Sequence, residues 1–113
     1  MSVRVLCSNP QQLVNEIKAA IRAGKVVTWE LDSDGDFTHT PEQWKNKAWF
    51  HAVLESDKVI FRILGRKSHR MTTGEYAAYH GHFIEMLLNH FDGKFSTAAA
   101  TAQASDGDAL GGP

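Results

Sequence analysis

The segment from Lys47 to Leu64 constrains the fold of this chain more than any other, because it reads as a β-hairpin with two different faces. Strand side chains alternate between the two faces of a sheet, and Ser56-Asp57 is placed as a two-residue turn. One face is then wholly apolar, with the cross-strand pairs Leu54–Val59, Ala52–Phe61 and Phe50–Ile63. The other face mixes apolar, aromatic and cationic groups, with the pairs Val53–Ile60, His51–Arg62 and Trp49–Leu64. A slip of one residue would mix the residues of the two faces, so the pattern favours this register. The apolar face predicts a core, and the mixed face predicts a contact surface.

The residues before the hairpin predict a strand, a helix and a second strand. Val3–Cys7 is β-prone, and Asn9 is a good N-cap for an amphipathic helix that follows it. A strand is predicted over Val26–Leu31, with Val27 and Trp29 on the same face. Residues 32–46 are predicted to be a long polar connection.

A second amphipathic helix is predicted after the hairpin, from Thr73 to about His90. Thr72 and Glu75 have the spacing of a capping box, and aromatic and aliphatic residues recur at three- and four-residue intervals. Gly81 is a poor residue for a helix interior, and close approach of another backbone would explain it.

The order β-α-β-β-β-α predicts an α+β two-layer sandwich, with a four- or five-stranded sheet and both helices on one face. Residues 1–95 form the predicted domain. Residues 96–113 are predicted to be a flexible tail rich in Ala, Gly and Asp, although Phe95–Thr101 has the option of adding a strand.

Composition favours a soluble protein of the cytoplasm. The 113 residues carry a net charge of −1, which is unlike the basic footprint of a dedicated nucleic-acid binder. The single cysteine, Cys7, fits a reducing compartment. The start of the chain has too short an apolar run for a signal peptide, and no stretch approaches the ~20 apolar residues of a membrane span.

A single layer of helices leaves the second face of the hairpin uncovered, and an apolar patch of that kind usually marks a partner or ligand. We therefore predict a binding surface, with homodimerisation favoured over ligand binding because isologous pairing covers the apolar residues at once. Its predicted residues are Trp49, His51, Val53, Ile60, Arg62 and Leu64.

The pattern predicts no metal site and no cofactor. Asp32, Asp34 and Asp36 mimic the start of a calcium loop, but Phe37 and Gln43 stand where such a loop needs Gly and Glu. No two of the six histidines have the i, i+4 spacing of a helical metal pair; they are His39, His51, His69, His80, His82 and His90.

Three segments together resemble a family of small uncharacterised bacterial proteins of the kind carried on mobile, integron-type gene cassettes. They are Asp34–His39, Gln43–Phe50 and Tyr79–Leu88, and the resemblance covers most of residues 2–105. It implies a bacterial cytosolic setting, and it brings no activity or catalytic residue with it.

The leading hypothesis is a non-enzymatic accessory protein that binds another protein or a second copy of itself, as an antitoxin or immunity protein does. Its surface is the predicted face or an exposed sheet edge. The alternative is a small ligand-binding domain or enzyme, with His51 as acid or base and Arg62 as anion clamp. A third hypothesis is RNA binding through Arg62, Arg66, Lys67 and Arg70.

Overall fold

The computed structural model describes residues 2–104 and 107–111, which form one sheet and two helices. The strands are β1 (Val3–Leu6), β2 (Trp29–Leu31), β3 (Phe37–His39), β4 (Ala48–Leu54), β5 (Lys58–Gly65) and β6 (Thr97–Ala100). The helices are α1 (Pro10–Arg22) and α2 (Thr73–Phe91). The strands pair antiparallel in the order β2-β3-β4-β5-β1-β6. The α+β class is confirmed, with six strands in the described residues instead of the four or five predicted.

The predicted hairpin register is confirmed at every pair. Trp49 lies opposite Leu64, His51 opposite Arg62 and Val53 opposite Ile60, while Phe50 lies opposite Ile63 on the other face. The apolar content of the first face fixes this register, because any slip would move the core residues to the opposite side.

Both helices pack on the face that carries Phe50, so the fold has two layers. Phe83 of α2 contacts Phe37, Phe50 and Phe61 with ring centroids 5.8, 4.6 and 4.8 Å apart. Leu13 and Ile17 of α1 are buried in the same cluster. Burial of these large side chains is the main source of stability in a domain of this size.

Both helices begin at the predicted caps. The side chain of Asn9 accepts a hydrogen bond from the Gln12 N–H (3.1 Å). The Thr72 hydroxyl accepts from the Glu75 N–H (3.1 Å), while the Glu75 carboxylate accepts from the Thr72 N–H (2.9 Å), which completes the capping box.

Three segments differ from the prediction. The polar connection 32–46 contains β3, whose three residues are all buried. Strand β2 is shorter than predicted, and Val27 is 79% exposed while Val26 is buried, so Val27 does not share a face with Trp29.

The third difference is the C-terminal segment. Strand β6 lies within Phe95–Thr101, where a strand was the option left open for the start of the tail, and residues 107–111 run beside β5, where Ala109 and Leu64 form a parallel bridge. Residues 105, 106, 112 and 113 of that prediction lie outside the described residues.

Candidate functional site

The six residues of the predicted binding surface all lie on the sheet face opposite the helices, which we call the open face. Ile60, which pairs with Val53 toward the turn of the hairpin, is only 4% exposed, so it contributes little contact area. Trp49, Val53 and Leu64 are half-buried, and His51 is exposed. The open face thus presents a partly exposed tryptophan near the middle of the sheet, and no described helix covers it.

The partner of His51 is Asp36, which the sequence did not reveal. Their atoms Nδ1 and Oδ1 are 2.7 Å apart, so the ring donates Nδ1–H to the carboxylate. Asp36 is held in turn by the tight turn between β2 and β3, where its N–H donates to the Asp32 carboxylate (2.8 Å). This arrangement fixes the orientation of the imidazole ring.

Arg62 is directed away from His51. Its side chain lies against Gly107, where an added Cβ would overlap the guanidinium group. His51 turns toward the β3 side of the sheet and Arg62 toward the C-terminal segment. Although the two residues are register partners, they do not converge on one anion as the alternative hypothesis requires.

The C-terminal segment closes one end of the open face. The Gly65 N–H donates to the Ala109 carbonyl (2.6 Å), and the Ala109 N–H donates to the Ile63 carbonyl (2.9 Å). Leu64 therefore has a backbone neighbour on its outer side, and its register partner Trp49 lies at the same end of the β4–β5 pair.

Charges on the open face are divided between its two sides. Glu30, whose register partner is Thr38, lies with Asp36 on the side of β2 and β3. Arg4, whose register partner is Ile60, lies with Arg62 on the side of β5 and β1. Trp49 on β4 lies between an acidic and a basic border.

A second set of histidines lies between α2 and the sheet. His39 donates its Nδ1–H to the Thr28 carbonyl (2.8 Å), so its Nε2 accepts a hydrogen bond from Nδ1 of His82 (3.0 Å). Burial lowers the pKa of His39. The hydrogen bond to the Thr28 carbonyl acts in the opposite direction but does not outweigh burial. The ring of His39 also stacks on Trp29, with centroids 4.3 Å apart.

His80 is buried in the same layer. Its Nδ1–H donates to the Tyr76 carbonyl (2.6 Å), and within the described residues its Nε2 has no hydrogen-bond partner. Burial lowers the pKa of His80 as well. The position of His80 beside the apolar stripe of α2 predicts a hydrogen-bonded group at the edge of the core, whereas the surroundings of His39 depend on how α2 meets the sheet and were not predictable.

The basic segment 66–70 is partly engaged by the cap of α2. His69 contacts the Glu75 carboxylate at 2.8 Å, and Lys47 lies 3.7 Å from it. Burial alone would raise the pKa of Glu75, but the Thr72 N–H, His69 and Lys47 outweigh it and lower the pKa.

Neither the acidic turn nor Cys7 forms a recognisable chemical centre. Asp32 accepts from the N–H groups of Asp34 (2.9 Å) and Asp36, which satisfies the local turn. Within residues 2–104 and 107–111, no three potential ligands come together around a metal position. Cys7 is buried, and burial raises the pKa of its thiol.

Four clefts lined by described residues lie away from His51. The one nearest the basic segment, of about 390 Å³, is lined by Arg70, Thr72, Tyr76 and Leu110 among others. The other three lie around the start of α1 and the segment that follows α2.

Neither α1 nor α2 combines the length and apolarity that a membrane-crossing helix requires, and this holds for the described residues. The chain matches no protein-family model, and comparisons with curated proteins and with solved structures also gave no match.

Proposed function

We propose that this chain is a non-enzymatic binding protein that acts by protein–protein contact through the open face, with a second copy of the chain as the partner. The observation that carries the proposal is Trp49, half-buried on the sheet face that neither described helix covers. Tryptophan is the residue most enriched among those that dominate binding energy at interfaces.

The charge division of the open face supports a second copy as the partner. A two-fold axis along β4 would place the acidic border of one copy, which carries Glu30, over the basic border of the other, which carries Arg4. Opposite charges then meet on both sides of the paired tryptophans, which favours this docking over the reversed one.

Catalysis has weaker support than binding. Asp36 and His51 form an oriented pair of the kind that general acid–base chemistry uses, but a substrate also needs a second convergent group. Arg62 is directed elsewhere, so we place the chain among accessory proteins, of the bacterial cytosolic and mobile-cassette kind that the resemblance implies.

The test is the effect of Trp49→Glu on self-association, measured by light scattering and sedimentation over a range of concentrations. The wild type should exceed the 12.5 kDa of one chain. The variant should associate roughly thirtyfold more weakly, the size of one interface hot spot, because the new carboxylate would be buried at the centre of the contact.

Leu88→Glu is the matched control, because it adds the same charge at an exposed leucine of α2, away from the open face. It should leave the association constant unchanged, and both variants should keep the helix content of the wild type. A wild type that stays monomeric, or a Trp49→Glu protein that associates as strongly as the wild type, would refute the proposal.

A further inference from the structure

The outer edge of β6 is a row of backbone groups that no described strand pairs. β6 is the last strand in the order β2-β3-β4-β5-β1-β6, and its inner side pairs with β1, with Ala99 opposite Arg4. The Thr101 N–H, just after β6, donates to the Ser2 carbonyl (2.8 Å). In an antiparallel pair alternate residues bond inward, so Ala98 and Ala100 direct their N–H and C=O groups to the outer edge.

Among residues 2–104 and 107–111, this edge lacks the features that normally prevent strands from pairing between molecules. Natural edge strands are protected by lysine, proline, bulges or a covering element. β6 has the sequence Thr-Ala-Ala-Ala, with no charge and no proline, and all but Ala98 of its residues are exposed. The opposite edge strand, β2, is only three residues long and carries Glu30, so it is the protected one of the two.

We propose that the outer edge of β6 pairs antiparallel with β6 of a second copy, about a two-fold axis at Ala99. The pattern is self-complementary, because Ala98 of each copy lies opposite Ala100 of the other. Each copy then offers two N–H donors and two C=O acceptors, and every one of them meets its counterpart in the other copy. The absence of charge removes the repulsion that self-pairing would otherwise meet, and alanine side chains leave room for the closest approach of the backbones.

The strand is held in a position suited to this pairing. The Tyr76 hydroxyl of α2 donates to the Thr101 carbonyl (3.0 Å), and the Ser96 N–H donates to the Leu6 carbonyl (2.9 Å), so both ends of β6 are fixed before any partner arrives. Preorganisation of this kind lowers the entropy lost on association.

The consequence is one continuous sheet with both open faces on the same side, because the axis is perpendicular to the sheet. The two copies of β5 would lie five strand spacings apart, roughly 24 Å. The edge contact therefore leaves the open face accessible. The inference stands independently of the proposed function. A protein that used both contacts would grow beyond a dimer, because the two-fold axis at Ala99 and the one along β4 do not generate a closed assembly.

The experiment is done in the Trp49→Glu protein, where only the edge contact is expected to remain. Sedimentation up to about 1 mM should show reversible association from 12.5 kDa toward twice that mass. Adding Ala100→Pro removes one outward N–H from each copy and should weaken association more than roughly tenfold, because two hydrogen bonds are lost.

Two variants at Ala99 separate the contact from the stability of β6. Ala99→Lys places two positive charges opposite each other at the axis and should abolish pairing, whereas the neutral, β-favouring Ala99→Thr should retain it. Thermal unfolding of each variant shows whether the subunit remains folded.

Amide exchange of the wild type gives a readout that needs no variant. The N–H groups of Ala98 and Ala100 should exchange more slowly as concentration rises, while that of Ala99 should not change. A Trp49→Glu protein that stays monomeric, or exchange at these amides that is independent of concentration, would overturn the inference. If the wild type associates, Trp49→Glu abolishes this association and Ala100→Pro leaves it unchanged, the inference is also overturned. That outcome would support the proposed function.

Discussion

At the scale of single residues, the two buried histidines are held in one tautomer by backbone carbonyls. His39 and His80 each donate Nδ1–H to a carbonyl of the main chain, from Thr28 and Tyr76. A second proton on either ring would be buried. On His39 it would face the ring of His82, and on His80 it would have no hydrogen-bond partner among the described residues. The neutral forms therefore belong to the folded state.

This predicts that stability decreases as the pH falls below 6.5. The pKa of both histidines is lowered from 6.5 in the folded chain, so at and below this pH the unfolded chain binds protons that the folded chain does not. The stability that the two neutral histidines contribute is fully present above pH 6.5. It is lost as the pH falls toward their pKa values in the folded chain. As the pH falls, each histidine can lower the free energy of unfolding by at most about 1.4 kcal/mol per pH unit.

Denaturant unfolding between pH 7 and 5 measures this slope. The double variant His39→Asn, His80→Asn keeps a donor for each carbonyl and should flatten the slope, although its stability at pH 7 will be lower. His90→Gln, at an exposed position in the last turn of α2, should keep the wild-type slope. A wild-type slope in the double variant would contradict the assignment.

At the scale of elements, the sequence predicts the hairpin, both helices and the strands at β1 and β2, and it misses β3. The hairpin and both helices were predictable because they repeat their pattern over many residues and carry capping signals. Strand β3 has three residues, Phe37–His39, too few to show a period of two, and the Asp-rich turn before it indicates a loop. The strand exists because β4 offers Phe37 a partner in Phe50.

Strand β6 lies where the sequence left a strand over Phe95–Thr101 only as an option, because its alanines have low β propensity and lie in a segment of simple composition. The same limit applies to the candidate site. The six residues of the open face follow from one register, but the Asp36–His51 contact depends on β3 pairing beside β4, which no local pattern reveals.

Gly81 offers a test of helix α2 itself. Close approach of a backbone was the expected reason for this glycine, but a Cβ built there meets no atom within 4 Å. Gly81→Ala should therefore raise the free energy of unfolding by about 0.5–1 kcal/mol, because alanine loses less backbone entropy in a helix. The melting temperature should rise by roughly 3–6 °C.

Gly24→Ala is the matched control, since it also has open space around the Cβ but adopts a φ of +75° at the end of α1. Alanine is strained in that conformation, so this variant should melt below the wild type. If both variants shift in the same direction, helix propensity does not explain the role of Gly81.

At the scale of the whole molecule, the two ends of the chain complete the sheet together. β1 lies between β5 and β6, so its two neighbours come from the middle and the end of the sequence. Beyond Val3, residues 107–111 take over as the neighbour of β5. Residues 107–111 therefore continue the backbone pairing of β5 beyond Val3, and these hydrogen bonds hold in place a segment with few apolar residues.

Docking of this segment depends on Gly111, which leads to the last prediction. Its φ is +78°, and a Cβ there would overlap the carbonyl oxygens of Arg66 and His69. Gly111→Ala should therefore release the segment and with it the hydrogen bonds that Gly65 and Met71 donate to the carbonyls of Ala109 and Leu110 (2.6 and 2.8 Å). Loss of these bonds and of the Leu110 packing should lower the free energy of unfolding by roughly 1–3 kcal/mol.

Amide exchange followed by NMR distinguishes local release from general destabilisation. The N–H groups of Gly65 and Met71 should exchange much faster in Gly111→Ala, while amides in the β1–β5 pairing, such as that of Phe61, should change only as the global stability does. Gly93→Ala, which adds a methyl group in open space, should leave the exchange of Gly65 and Met71 as in the wild type. If the variant accelerates all amides equally, the C-terminal segment is an integral part of the cooperative core instead of a separately docked neighbour of β5.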